Sequence, residues 1–113
     1  MSQLAAQACN PCRGDEEPLV GNELKALHDE IPAWEVVERN GVPRLKRSFD
    51  FKNFAQALAF TNQVGELAEE ENHHPKLVTE WGGVTVTWWT HSIGGLHRND
   101  FIMAARTDQL YGR

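Results

Sequence analysis

The 113-residue chain has no apolar run approaching the roughly 18 residues that a membrane-spanning helix needs. It has no basic excess either. Its 11 Lys and Arg stand against 16 Asp and Glu, a formal net charge of −5, so direct nucleic-acid binding through phosphate contacts is not its main business. Met1 to Ala8 holds neither a basic start nor a long apolar stretch, so no secretion signal is expected and a cytoplasmic protein is. There is no phosphate-cradling loop, because Gly82-Gly83 and Gly94-Gly95 lack the GxGxxG or Walker spacing. Cysteine is confined to Cys9 and Cys12, with no second CxxC to complete a zinc site and no βαβ pattern around the first. A segment without chemical role, half of a metal site and a redox pair remain open for it.

What is present reads as one domain. The length and the 41% hydrophobic content allow a real core. Residues 1–18, with two prolines before Leu19 besides a glycine and Asp15-Glu16-Glu17, read as a loosely ordered lead-in, and residues 19–113 as a single domain. A short helix follows the lead-in. Asn22 is its expected cap, Leu24, Leu27 and Ile31 share a face, and Pro32 ends it. Trp34 to Glu38 is a strand, Asn40-Gly41 supplies a tight hairpin turn, and Leu45, Arg47 and Phe49 alternate on the returning strand. Pro43 lacks an N–H, so that strand starts at an edge or outside the ladder.

The longest helix spans about Asn53 to Asn72, with Phe54, Ala57, Leu58, Phe60, Thr61, Val64, Gly65, Leu67 and Ala68 along a broad face. Leu77 to Trp81 and Val84 to His91 then form a second hairpin around Gly82-Gly83, with Val84, Val86 and Trp88 on one face and Thr85, Thr87, Trp89 and His91 on the other. A last helix starts near Asn99-Asp100. The order α-β-β-α-β-β-α gives an α+β two-layer domain, a four-stranded antiparallel sheet from two hairpins with three helices on one face.

Three of the five histidines fall at element ends: His73 and His74 where Pro75 stops the long helix, and His91 at the end of the last strand, 17 positions after His74. Imidazole both donates and accepts protons near neutral pH, so two or three around one pocket can protonate a leaving group and deprotonate its neighbour. Singly, each has a plainer reading: a helix-end residue stabilised by the dipole, a surface residue, a core-edge residue bonded to a carbonyl. Jointly they point to a site, because His74 and His91 each lie eight positions outward from Gly82-Gly83 and near-symmetric pairing brings them together. Glu69, four residues before His73, and Asp100, if the last helix closes over the site, are candidate orienting carboxylates. A zinc or iron site built from the histidines and Glu69 is the chemical rival. No convincing nucleophile stands nearby, although Ser92 follows His91.

The pattern Glu69-x-x-x-His73-His74-Pro75, then Trp81, Val84, Thr90-His91, Gly95-Leu96 and Asp100, resembles the pterin-4a-carbinolamine dehydratases over roughly residues 19 to 111. The Cys9-x-x-Cys12-Arg13-Gly14 lead-in is similar to that of bacterial members. The resemblance implies the same helix–hairpin–helix–hairpin–helix domain, dimers or tetramers joined sheet edge to sheet edge, and a hydro-lyase that eliminates water from a 4a-hydroxytetrahydropterin without cofactor, metal or covalent intermediate. That reaction would recycle the pterin of aromatic amino-acid hydroxylases, phenylalanine hydroxylase among them. By position, His73, His74 and His91 would be the catalytic residues, with His73 and His91 transferring protons while His74 binds and polarises the pterin and assists. Glu69 and Asp100 would orient the imidazoles, and Asn72 with the backbone near Thr90 would help hold the ring. A regulatory or dimerisation partner of the same fold is the alternative that the resemblance also implies, since animal relatives bind a transcription factor. Two departures stand out. His97 occupies a position where many relatives carry a capping Thr or Ser and is expected to cap less well, with Asn99 or backbone geometry as the substitute. Asn72 stands where some have Asp.

Overall fold

The computed structural model describes residues 4–7, 9 and 17–112. Their order is a 3-10 turn Leu4–Ala6, α1 Gly21–Asp29, β1 Glu35–Arg39, β2 Val42–Asp50, α2 Phe54–Glu71, β3 Lys76–Glu80, β4 Gly83–Trp88, a second 3-10 turn His91–Ile93, and α3 Arg98–Tyr111. The strands form one antiparallel sheet in the order β1-β2-β4-β3. The α+β class and the element order agree with the expectation.

Side-chain alternation sets the layers. Leu45, Phe49, Val84, Val86 and Trp88 are buried under the helices. The opposite sheet face carries Val37, Arg44, Lys46, Lys76, Val78, Thr85 and Thr87 around one depression. Helix α2 lays Ala57, Phe60, Val64, Leu67 and Ala68 on the sheet, while Phe54 and Leu58, at 46% and 43% exposure, stay outside. The stripe that reaches the core is therefore narrower than the apolar face written in the sequence. Leu4 is fully buried in the same core, so the described part of the lead-in packs onto the domain. Cys12 and the rest of residues 10–16 lie outside the described residues.

Local turn chemistry explains most element ends. Asn40 and Gly41 both adopt positive φ, 53° and 78°, as the first hairpin requires. Pro43 sits inside β2 opposite Glu38. Its place is two before Leu45, the first β2 residue paired to β4, so its missing N–H breaks no ladder bond on that side. Asn22 does not cap α1, whose N-cap is Val20. In the second hairpin Glu80 pairs with Gly83, so Trp81-Gly82 form the turn rather than Gly82-Gly83. This moves the expected register by two residues. The β3–β4 ladder ends at Lys76 opposite Thr87, and its continuation sets His74 opposite Trp89, not His91.

At the end of the domain away from these histidines, the Asp108 carboxylate accepts from the Trp34 indole N–H at 2.9 Å and pairs with Arg47. Burial pushes the Asp108 carboxyl above its ordinary range, against the Trp34 bond and Arg47, which pull it down. The buried indole N–H needs an acceptor more than the site needs a charge. Asp108→Ala is expected to lower stability by about 2 kcal/mol, by orphaning that N–H. Asp108→Asn, which keeps an acceptor, costs less. Urea unfolding of the two variants measures the difference.

Candidate active site

The site is built where α2 stops. Asn72 ends the helix in the left-handed conformation, φ 51° and ψ 43°, and its N–H bonds back to Ala68 and Glu69. The His73 N–H reaches the Ala68 carbonyl at 3.1 Å. This paired closure is a Schellman-type cap, usually supplied by Gly or Asn. It reverses the chain between Glu71 and His73, so the four-residue helical spacing no longer relates Glu69 to His73. The Glu69 carboxylate instead bonds the ring of His74, and both are exposed. The expected Glu69–His73 alignment is thus replaced by a Glu69–His74 pair.

His73 turns inward. Its Nε2 lies 2.6 Å from Asp100 Oδ1, and its ring stacks on Trp88 at 5.8 Å with 12° between planes. A carboxylate only accepts, so Nε2 carries the proton and Nδ1 is the nitrogen left open in the neutral ring. The Asp100 side chain is fully buried and accepts three hydrogen bonds. Oδ2 accepts from Thr90 Oγ1 at 2.8 Å and from the His97 backbone N–H at 2.9 Å. Trp88 is in turn fixed by its indole N–H donating to Thr107 Oγ1 at 3.2 Å.

The cap of α3 is His97 itself, not the Asn99 or backbone substitute expected from the sequence. The His97 imidazole does cap: Nδ1 accepts the Asn99 N–H at 3.0 Å, while Asp100 reaches back to the His97 N–H. An unprotonated ring nitrogen serves as the acceptor that Thr or Ser oxygen usually provides. The same reciprocal cap aims Asp100 at His73, so a helix-start device also orients the imidazole.

His91 opens the 3-10 turn that follows Thr90 and is exposed. Its ring lies 4.5 Å from that of Trp89, which also packs against the core and carries the Arg44 guanidinium 4.0 Å from its centroid. Thr90 is held by a two-way backbone bridge to Gly95 and by its bond to Asp100. His73 and His91 therefore share a framework, Asp100–Thr90, but their rings make no hydrogen bond or ring contact with each other. Among the described residues no group of three or more His, Cys, Asp or Glu side chains is placed to hold a metal ion. Cys9 is free, and burial followed by the nearby Glu71 charge pushes its thiol up to about 12, which leaves it protonated and a poor nucleophile at neutral pH.

Asn72 emerges as a backbone device. Asn72→Gly is expected to keep fold and activity, whereas Asn72→Ala loses about 1 kcal/mol from the cost of a left-handed Cβ. Thermal unfolding and turnover of both variants check this. Loss of activity in the glycine variant would instead place the Asn72 amide on a ligand.

Comparison with known proteins gives a consistent result. The family described as pterin 4 alpha carbinolamine dehydratase matches residues 17–110. A relative from Chlorobium limicola, named "Putative pterin-4-alpha-carbinolamine dehydratase", is 62% identical over 111 residues, 98% of each chain. One of the same name from Microcystis aeruginosa is 56% identical, covering 98% of this chain and 96% of its own. Among solved structures, a transcriptional coactivator/pterin dehydratase from Brucella melitensis superposes with a TM-score of 0.77 at 31% identity, over 85% of this chain and 100% of that one. A pterin dehydratase-like protein described as a RuBisCO assembly factor of the alpha-carboxysome gives a TM-score of 0.60 at 27% identity, over 71% and 90%.

Proposed function

Since the chain belongs to the pterin-4-alpha-carbinolamine dehydratase family, we propose that it eliminates water from a 4a-hydroxytetrahydropterin by histidine acid–base catalysis at the α2–α3 junction. The observation that carries this reading is the Asp100–His73 pair, a buried carboxylate with three donors that fixes one imidazole with a single nitrogen open.

The reaction breaks the C4a–O bond and forms the C4a=N5 bond of the quinonoid dihydropterin. One proton joins the leaving hydroxyl to give water, and one leaves N5. No electrons are exchanged with another molecule. His73 and His91 are the two proton-transfer residues: His73 is held by Asp100 with Nδ1 available, and the exposed His91 ring is braced by Trp89. After each turnover the pair exchanges its proton through solvent. His74, braced by Glu69, binds and polarises the pterin, and the backbone near Thr90, which the Thr90–Gly95 bridge holds in place, helps seat the ring. In a cell the product would return to a reductase that serves pterin-dependent hydroxylases such as phenylalanine hydroxylase. The exposed Phe54 and Leu58 on α2 and the free edge of β3 favour a homodimer or homotetramer. No helix among the described residues is long and apolar enough to cross a membrane, and the proposed setting is the cytoplasm.

The test is the decay of synthetic 4a-hydroxytetrahydropterin followed by ultraviolet absorbance, with and without the purified chain. The expected result is acceleration over the spontaneous rate in proportion to protein concentration. Decay at the spontaneous rate would refute the reading.

A further inference from the structure

The half-buried carboxylate of Glu71 has no place in the proposed chemistry, yet it is the last residue of α2, two before His73. Its side chain is 17% exposed. It accepts the Cys9 backbone N–H at 3.0 Å and pairs with Arg106 of α3 at 3.4 Å. That N–H and Arg106 hold the Glu71 carboxyl below its ordinary range. The segment supplying the N–H is itself anchored. Leu4 is fully buried, Gln7 Oε1 accepts from Arg98 Nε at 3.1 Å, and Cys9 Sγ lies 3.9 Å from the Asn99 carbonyl, one residue before Asp100. The N-terminal strap thus meets α2 two residues before His73 and α3 one residue before Asp100. These are the two helix ends whose relative position sets the 2.6 Å bond between them.

We propose that Glu71 is a positioning residue, which joins the N-terminal strap and α3 to the end of α2 and thereby fixes His73 against Asp100. It touches neither His73 nor Asp100, and its effect passes through the backbone turn at Asn72. The left-handed turn gives His73 its direction, but a turn of one residue leaves its distance from α3 to be set by what clamps the helix end. Glu71 is that clamp, and the strap is its second jaw. The catalytic part of the proposal rests on the dehydratase reading above, but the positioning part does not.

Two measurements separate them. In nitrogen-15-labelled protein, the Nε2–H of His73 bonded to buried Asp100 is expected as a downfield imidazole proton protected from solvent, assigned by its loss in His73→Gln. Glu71→Ala is expected to broaden that resonance into solvent exchange and to lower kcat about tenfold to a hundredfold with KM within about twofold, as misplacement of a proton-transfer group does. Cys9→Pro, which deletes the N–H donor without changing charge, is expected to act in the same direction. The pair should be less than additive with Glu71→Ala, because both break one contact. Glu71→Gln keeps the acceptor for Cys9 and is expected to restore the protected resonance and to bring kcat within about threefold of wild type. A folded Glu71→Ala protein with an unchanged His73 resonance and unchanged kcat, its only change a lower melting temperature, overturns the proposal. A resonance that moves as expected in a chain without dehydratase turnover upholds the positioning and rejects the catalytic reading.

Discussion

Asp100→Ala is expected to reduce dehydratase turnover by about two orders of magnitude and to destabilise the fold by about 3 kcal/mol. Both effects follow from one side chain. Asp100 accepts from His73, from Thr90 Oγ1 and from the His97 N–H in a site that water does not reach. Removing it leaves three donors without an acceptor, frays the first turn of α3 and frees the His73 ring. Asp100→Asn separates the two losses. The amide keeps the size and one acceptor oxygen, but it places an N–H₂ where a second acceptor stood. Its oxygen can serve His73 or the Thr90–His97 pair, not both. Stability is expected to recover to within about 1.5 kcal/mol of wild type while turnover stays low. Guanidinium unfolding alongside the pterin assay measures the split. Equal recovery of both would mean that Asp100 serves the fold alone.

The second large effect belongs to the histidines themselves. General acid–base residues each contribute on the order of 10²–10⁴ in rate. His73→Ala and His91→Ala are each expected to lose turnover within that range. Their stability costs differ in a predictable way. His73 is nearly buried, with 11% side-chain exposure, stacked on Trp88 and bonded to Asp100, so its removal leaves a cavity beside a buried carboxylate. The His91 side chain is exposed and packs on Trp89, so its removal should scarcely move the unfolding midpoint. A His91 variant that is as stable as wild type and inactive is the cleanest single sign of a chemical role. His74→Ala is expected to act mainly on KM, since His74 sits in an exposed pair with Glu69, outside the Asp100 framework.

Much of this site was legible in the sequence, and the misses share a cause. Pro75 and the histidine pair correctly marked the end of α2, and the period-two pattern correctly set Val84, Val86 and Trp88 inward. Asn40-Gly41 was a reliable turn signal because both residues tolerate positive φ. Gly82-Gly83 misled for a related reason. Two glycines mark a turn without fixing which pair lies at its tip, and neither takes positive φ here. A shift of one residue in the turn moved the partner of His74 from His91 to Trp89. Helical spacing does not reveal the pairing of Glu69 with His74, because Asn72 between them has already left the helix. An Asn just before a histidine pair and a proline is the signal of a left-handed cap, and it was available. Residue type alone hides the His97 cap, because an imidazole nitrogen accepts as well as a hydroxyl does. The contact of Cys9 with Glu71, 62 residues apart, left no local trace. Only the fold brings the strap to the helix end.

These lines converge on a claim about two imidazoles and one substrate. The measurement that tests it most directly is the loss of 4a-hydroxytetrahydropterin absorbance in the presence of the His73→Ala/His91→Ala double variant, at a concentration where wild type completes the reaction. The account predicts decay at the spontaneous rate, from a protein whose circular dichroism matches wild type. Wild-type turnover by the folded double variant would contradict it.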